Sequence, residues 1–147
     1  IGKSLHIVDD RGLTKKPSGS RIRGLLPRQG LLLLDDLKGS RILVLGVAYK
    51  PGSSDCRESP AIDVIDLLLE AQADVSYHDP FAEGIEVRGK NFKSRPLTSA
   101  TLARADLVAI MTAHKSIDYR RVLAQSRLIF DARNATGALR SPRLFRL

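Results

Sequence analysis

Four cations of this 147-residue chain stand just beyond three apolar runs. Lys50 and Arg57 follow residues 42–45 (ILVL), Lys115 follows residues 106–112 (DLVAIMT), and Arg133 follows residues 127–131 (RLIFD). If those runs are parallel strands of one sheet, the residues after them meet at a single rim despite their separation in sequence. Ammonium and guanidinium groups gathered there suit a phosphate, which accepts charge-assisted hydrogen bonds from both. Tyr49, Asp55, His78, Asp79, Thr112, His114, Asp131 and Asn134 fall at the same strand ends. Taken singly, each basic residue is an ordinary solvated surface charge. Their joint placement points to a phosphate-bearing ligand and leaves its identity open.

Acid–base and nucleophilic chemistry have less support. Cys56 lies between Asp55 and Arg57, where the guanidinium is placed in sequence to lower the thiol pKa, and His78 and His114 are candidate bases. One cysteine in a loop is usually incidental, so no catalytic residue is assigned. No histidine or carboxylate pair has metal-ligand spacing, and no metal site is assigned. The stretch after the first run, GVAYKPG, is neither the Gly-x-Gly-x-x-Gly of dinucleotide sites nor a P-loop. Asp79 ends its run where a ribose-binding acid would stand, but before Pro80 it reads as a turn residue.

The elements that must position these groups follow from periodicity. Residues 42–45, 75–78, 106–112 and 127–131 read as strands, with at most a short edge strand at 85–87. Ser59-Pro60 starts a helix running to about residue 73, with Ile62, Ile65, Leu68 and Leu69 on one face. Residues 99–105 form a short helix candidate, and Asp118 caps another ending near residue 125. Strand and helix alternating at this spacing predict a Rossmann-like, three-layer α/β domain with a mainly parallel sheet over residues 39–147. Residues 1–38 contain five glycines and two prolines and read as an irregular, flexible basic arm, with one short element at 30–37.

Composition narrows the classes further. Twenty-four Lys and Arg against 16 Asp and Glu give a net charge of +8, half of it from residues 1–38. That favours an anionic partner. Nucleic acid ranks last, because aromatic stacking residues and a helix-turn-helix pattern are lacking. The single cysteine excludes a disulfide framework, and no apolar run is long enough to span a membrane. No export signal is visible, so a cytoplasmic protein is expected.

The run RILVLGVAYKPGSSDCRESPAIDVIDLL, followed in order by VSYHDP, ADLVAIMTAHKSIDY and LIFDARNATG, resembles the C-terminal domain of the UDP-glucose/GDP-mannose dehydrogenase family over about residues 37–137. TAHKSIDY and DARNATG are most similar to its UDP-N-acetylhexosamine branch. The resemblance implies a domain that grips the diphosphate of a UDP-sugar, in enzymes that oxidise the sugar C6 hydroxyl to a carboxylate with NAD and a catalytic cysteine. It implies substrate contacts from Tyr49, Lys50 and Arg133, and from Arg57 a contact to NAD held by another domain. Cys56 occupies a variable position and does not replace the family nucleophile. The family's NAD domain, helical dimerisation domain and catalytic cysteine have no counterpart here, and residues 1–36 do not resemble the expected central helix. The chain is therefore expected to be inactive alone and outside the family's homo-oligomer. The alternatives are a non-catalytic nucleotide-diphosphate-binding module or a truncated gene product.

Overall fold

Residues 42–45 carry apolar side chains in both directions, so a strand made from them must be covered on both faces. The computed structural model describes residues 37–146, together with the backbone of residues 5–8 and 31–34. The elements are β1 (Leu5–Val8), β2 (Leu31–Leu34), β3 (Arg41–Leu45), α1 (Pro60–Glu70), β4 (Asp74–His78), β5 (Gly84–Val87), β6 (Lys90–Lys93), α2 (Ser99–Arg104), β7 (Leu107–Ile110), α3 (Tyr119–Gln125), β8 (Ile129–Asp131) and β9 (Leu144–Arg146).

Five of these strands form one sheet in the order β4-β3-β7-β8-β9, and every pairing in it is parallel. The pleat divides the core. Ile42, Val44, Val75, Tyr77, Leu107 and Phe130 face Ala61, Val64, Ile65 and Leu68 of α1. Leu43, Leu45, Val108, Ile110 and Ile129 face Leu102 of α2 and Val122 and Leu123 of α3. The result is the expected three-layer α/β domain. Its chain order, with the second strand outside the first and the rest on the other side, is that of five-stranded doubly wound folds. The switch point lies between β3 and β7.

The caps follow the local sequence. Ser59 accepts from the Ala61 amide with Pro60 in the first turn, and Asp118 accepts from the Arg120 and Arg121 amides. Helix α1 stops at Glu70, earlier than its periodicity predicts, because Gln72 adopts a left-handed φ of 62°.

Three strands go beyond the sequence expectation. β1 pairs antiparallel with β2, which falls within the one element expected before residue 38. The flexibility expected elsewhere in residues 1–38 lies outside the described residues. The single edge strand expected at 85–87 is a hairpin, β5–β6, turned by Arg88 and Gly89 at φ 55° and 70°. Two consecutive left-handed residues match the twist of a two-residue hairpin. Ile85 and Val87 bury against the α1 layer, and Arg88 pairs with Asp66 and Glu70 of that helix. Finally, β9 extends the sheet beside β8, with Phe145 opposite Phe130. Among the described residues, no helix is long and apolar enough to cross a membrane.

Candidate anion-binding rim

In a parallel sheet the crevice beyond the carboxyl ends of the strands at the switch point is the usual ligand site. Here the chain's own loop, residues 46–58, occupies it. Gly46 leaves β3 with φ +84°, and a Cβ there would lie 2.4 Å from the Thr112 Cβ and 2.7 Å from its carbonyl oxygen. The Thr112 hydroxyl donates to the Ala48 carbonyl at 2.7 Å. The outer side of this loop, and not the crevice beneath it, is the surface left open.

Asp79 holds the loop down. It is 4% exposed, and its carboxylate accepts from five donors. Oδ2 takes the amides of Val47 (2.8 Å) and Ala48 (3.1 Å) and the His114 Nε2–H (2.9 Å). Oδ1 takes the amides of Phe81 (2.8 Å) and Ala82 (3.1 Å). Burial alone would raise its pKa. The amides and the imidazole outweigh burial and hold the carboxyl below its ordinary value. The turn role expected for Asp79 is present, and the same carboxylate also ties together the segments after β3, β4 and β7. It is buried and fully engaged, which leaves no oxygen facing a ribose.

Two other candidates change role. His114 has no exposed surface; Nδ1 accepts from the Gly52 amide at 3.2 Å while Nε2 faces Asp79. It is thus a tether inside the rim and not a base open to substrate. His78 places Nδ1 2.7 Å from the Arg95 carbonyl, an intramolecular partner. The expectation that Arg57 lowers the Cys56 pKa is reversed. Burial, then the nearby Asp79 and Asp55 carboxylates, push this thiol up. The Arg57 guanidinium is instead committed to Asp55 through Nε at 3.0 Å and a second nitrogen at 2.8 Å, which holds Asp55 down to about 2.

The predicted ligand residues lie on the rim in two groups. Tyr49, 58% exposed, lines an open concavity with Asp55, Arg57 and Glu58. Lys50 is exposed next to Tyr49, near enough to contribute to the lowered pKa of Asp55. Arg133 follows β8, two strands from β3, a lateral offset of about 10 Å at the usual strand spacing. It does not line the Tyr49 concavity. Its loop is built by Asp131, a buried carboxylate that accepts from the amides of Arg133, Ala135 and Thr136 and from the Thr136 hydroxyl. Among the described residues neither Lys50, Lys115 nor Arg133 makes an ion pair, whereas Arg57 does.

Sequence reasoning put these cations at one rim but missed what builds it. The available signal was two strand-terminal aspartates, in His78-Asp79 and Phe130-Asp131. Each is followed by a tight turn whose amides need an acceptor. The described residues do not form a dinucleotide cradle, since the switch-point crevice is closed by Gly46, Thr112 and the pinned loop.

With this geometry in place, similarity to known proteins is informative. The model of the UDP-glucose/GDP-mannose dehydrogenase family, UDP binding domain, matches residues 43–138. A UDP-glucose 6-dehydrogenase of Rickettsia prowazekii (strain Madrid E) is 33% identical over 141 residues, covering 88% of this chain and 32% of its own. The solved UDP-glucose dehydrogenase of Pyrobaculum islandicum aligns with a TM-score of 0.59 and 32% identity, over 75% of this chain and 26% of that one. The UDP-N-acetyl-mannosamine dehydrogenase of Staphylococcus aureus aligns with a TM-score of 0.55 and 26% identity, over 75% and 26% respectively. The chain spans about a third or less of the length of the curated relatives it matches. The match takes in the sheet from β3 to β8, the pinned loop and both rim aspartates, so the chain belongs to the UDP-glucose/GDP-mannose dehydrogenase family.

Proposed function

We propose that this chain is the substrate-gripping part of an NAD-dependent nucleotide-sugar 6-dehydrogenase. Its rim holds the diphosphate of a UDP-hexose or UDP-N-acetylhexosamine. The observation that carries this reading is the pair of exposed cations, Lys50 and Arg133, without an ion pair among the described residues. A diphosphate carries the charge they lack. Lys50 acts as a point charge with the ring and hydroxyl of Tyr49 beside it, and Arg133 acts from the second group as a planar two-pronged donor. The wording of residues 112–119 favours an N-acetylated sugar.

NAD, which accepts the hydride in such oxidations, does not fit the crevice of this domain. Arg57, whose side chain is 88% exposed, is the group this chain would turn toward a cofactor held by other residues. No catalytic role is proposed for Cys56, whose thiol pKa is pushed up by burial and the nearby carboxylates, or for the two engaged histidines.

Titration calorimetry of the chain with UDP, UDP-N-acetylglucosamine and NAD tests the reading. UDP binding is expected, weakened about 10- to 100-fold by Lys50→Ala and by Arg133→Ala, the usual worth of a hydrogen bond to a charged group. Arg57→Ala is expected to leave UDP affinity unchanged. Absence of UDP binding defeats the proposal. NADH formation by this chain alone would overturn the division of labour.

A further inference from the structure

The segment that carries Tyr49 and Lys50 is pinned on both sides. Before it, the Ala48 amide bonds to Asp79 and the Ala48 carbonyl to Thr112. After it, the Gly52 amide bonds to His114 Nδ1. Only residues 49–51 lie between these pins, and a further bond from the Tyr49 amide to the Asp55 carbonyl (2.8 Å) draws the rest of the loop back toward them. A backbone amide can only donate, so Nδ1 of His114 is the acceptor and Nε2 carries the proton that Asp79 receives. This tautomer is the one that satisfies both neighbours at once. The ring also meets Phe81, 5.2 Å away between centroids, and the His114 backbone carbonyl accepts from the Tyr119 hydroxyl.

We propose that His114 and Asp79 are positioning residues for nucleotide binding: a Gly52–His114–Asp79 hydrogen-bond chain, anchored on the buried His114–Asp79 link, presets Tyr49 and Lys50 so that the diphosphate meets an ordered loop. The proposal rests on the UDP-binding reading above. Its physical content is preorganisation. A lysine on a loose loop must lose backbone freedom when the ligand arrives, and a loop already fixed has lost it on folding. His114 touches no ligand in this scheme and acts only through the loop.

Two near-isosteric substitutions separate positioning from stability. His114→Asn keeps an acceptor at the Nδ1 position for Gly52 and removes the donor to Asp79. His114→Gln keeps a donor at the Nε2 position for Asp79 and removes the acceptor. Three readouts on the full chain are needed: UDP affinity by calorimetry, amide hydrogen exchange at Gly52, and the thermal midpoint. His114→Gln is expected to weaken UDP binding about five- to tenfold and to speed Gly52 exchange, whatever its thermal midpoint. His114→Asn is expected to keep Gly52 protected and UDP affinity within about twofold, even where Asp79, left short of a donor, lowers the midpoint. UDP affinity that follows the thermal midpoint and not Gly52 protection overturns the latch while leaving UDP binding intact. No UDP binding by the unsubstituted chain overturns the nucleotide reading itself, together with the role assigned here.

Discussion

The two ends of the parallel sheet treat charge in opposite ways. At the amino end, Arg41 opening β3 grips Asp106 ahead of β7 through two guanidinium nitrogens at 3.2 and 3.0 Å, and Arg127 ahead of β8 approaches the same carboxylate. There the carboxylate meets arginine side chains at the surface. At the carboxyl end, Asp79 and Asp131 turn inward and are filled by backbone amides. Lys50, Lys115 and Arg133 remain outside and make no salt bridge among the described residues. Thus an aspartate turned inward onto backbone amides leaves neighbouring cations unneutralised, whereas one left at the surface is taken by arginine. Both ends contain Arg and Asp; at the amino end Asp106 is spent on arginine side chains, and at the carboxyl end Asp79 and Asp131 are spent largely on backbone amides.

The largest expected effect comes from emptying the carboxyl end of its buried acid. Asp79→Ala leaves five donors unsatisfied and is expected to cost about 3–5 kcal/mol in urea unfolding. A loss below about 1 kcal/mol would show that water replaces the carboxylate and would remove the distinction between the two ends. Gly46→Ala comes next. Its Cβ would press on the backbone and side chain of Thr112 at a left-handed φ, so about 2–4 kcal/mol should be lost.

A pH titration sharpens the comparison without deleting anything. The folded pKa of Asp79 lies below its unfolded value, so this group's contribution is complete above the unfolded carboxylate range and drains as pH falls below about 4. Asp79→Asn is expected to flatten that acid limb of the stability curve. An unchanged acid limb would show that other carboxylates govern it. The smallest effect belongs to the amino end: Arg41→Ala breaks a pair whose arginine side chain is 43% exposed. It should shift the chemical-unfolding midpoint only slightly and leave UDP affinity untouched. A change in UDP affinity there would show that the ends are not separate.

The sequence made the large elements legible where a single physical signal dominates. β3 and β7 are apolar runs long enough only for doubly buried strands, and Ser59-Pro60 and Asp118 mark helix starts by capping chemistry. It failed where pairing decides. Leu144–Arg146 has no local pattern that distinguishes it from a loop, and becomes a strand because β8 offers it an open edge. Arg88-Gly89 is a hairpin turn only once Ile85 and Val87 have an α1 face to bury against. For Cys56, adjacency to Arg57 suggested a lowered pKa. Folding gave the guanidinium to Asp55, a nearer and stronger partner, and left the thiol to burial.

The site divides along the same line. By itself the sequence determined that Tyr49, Lys50, Arg57, Lys115 and Arg133 follow strands of one parallel sheet, because hydrophobic period and helix caps are local properties of the chain. It also determined the family, since those runs match it in order. Only the tertiary structure decided which polar residues face inward. Asp79, Thr112 and His114 stand 31 or more positions from the loop residues they bond, and hydrogen bonds across such distances exist only after the sheet has brought its strand ends together. Which charges remain available for a ligand is set by that inward bonding.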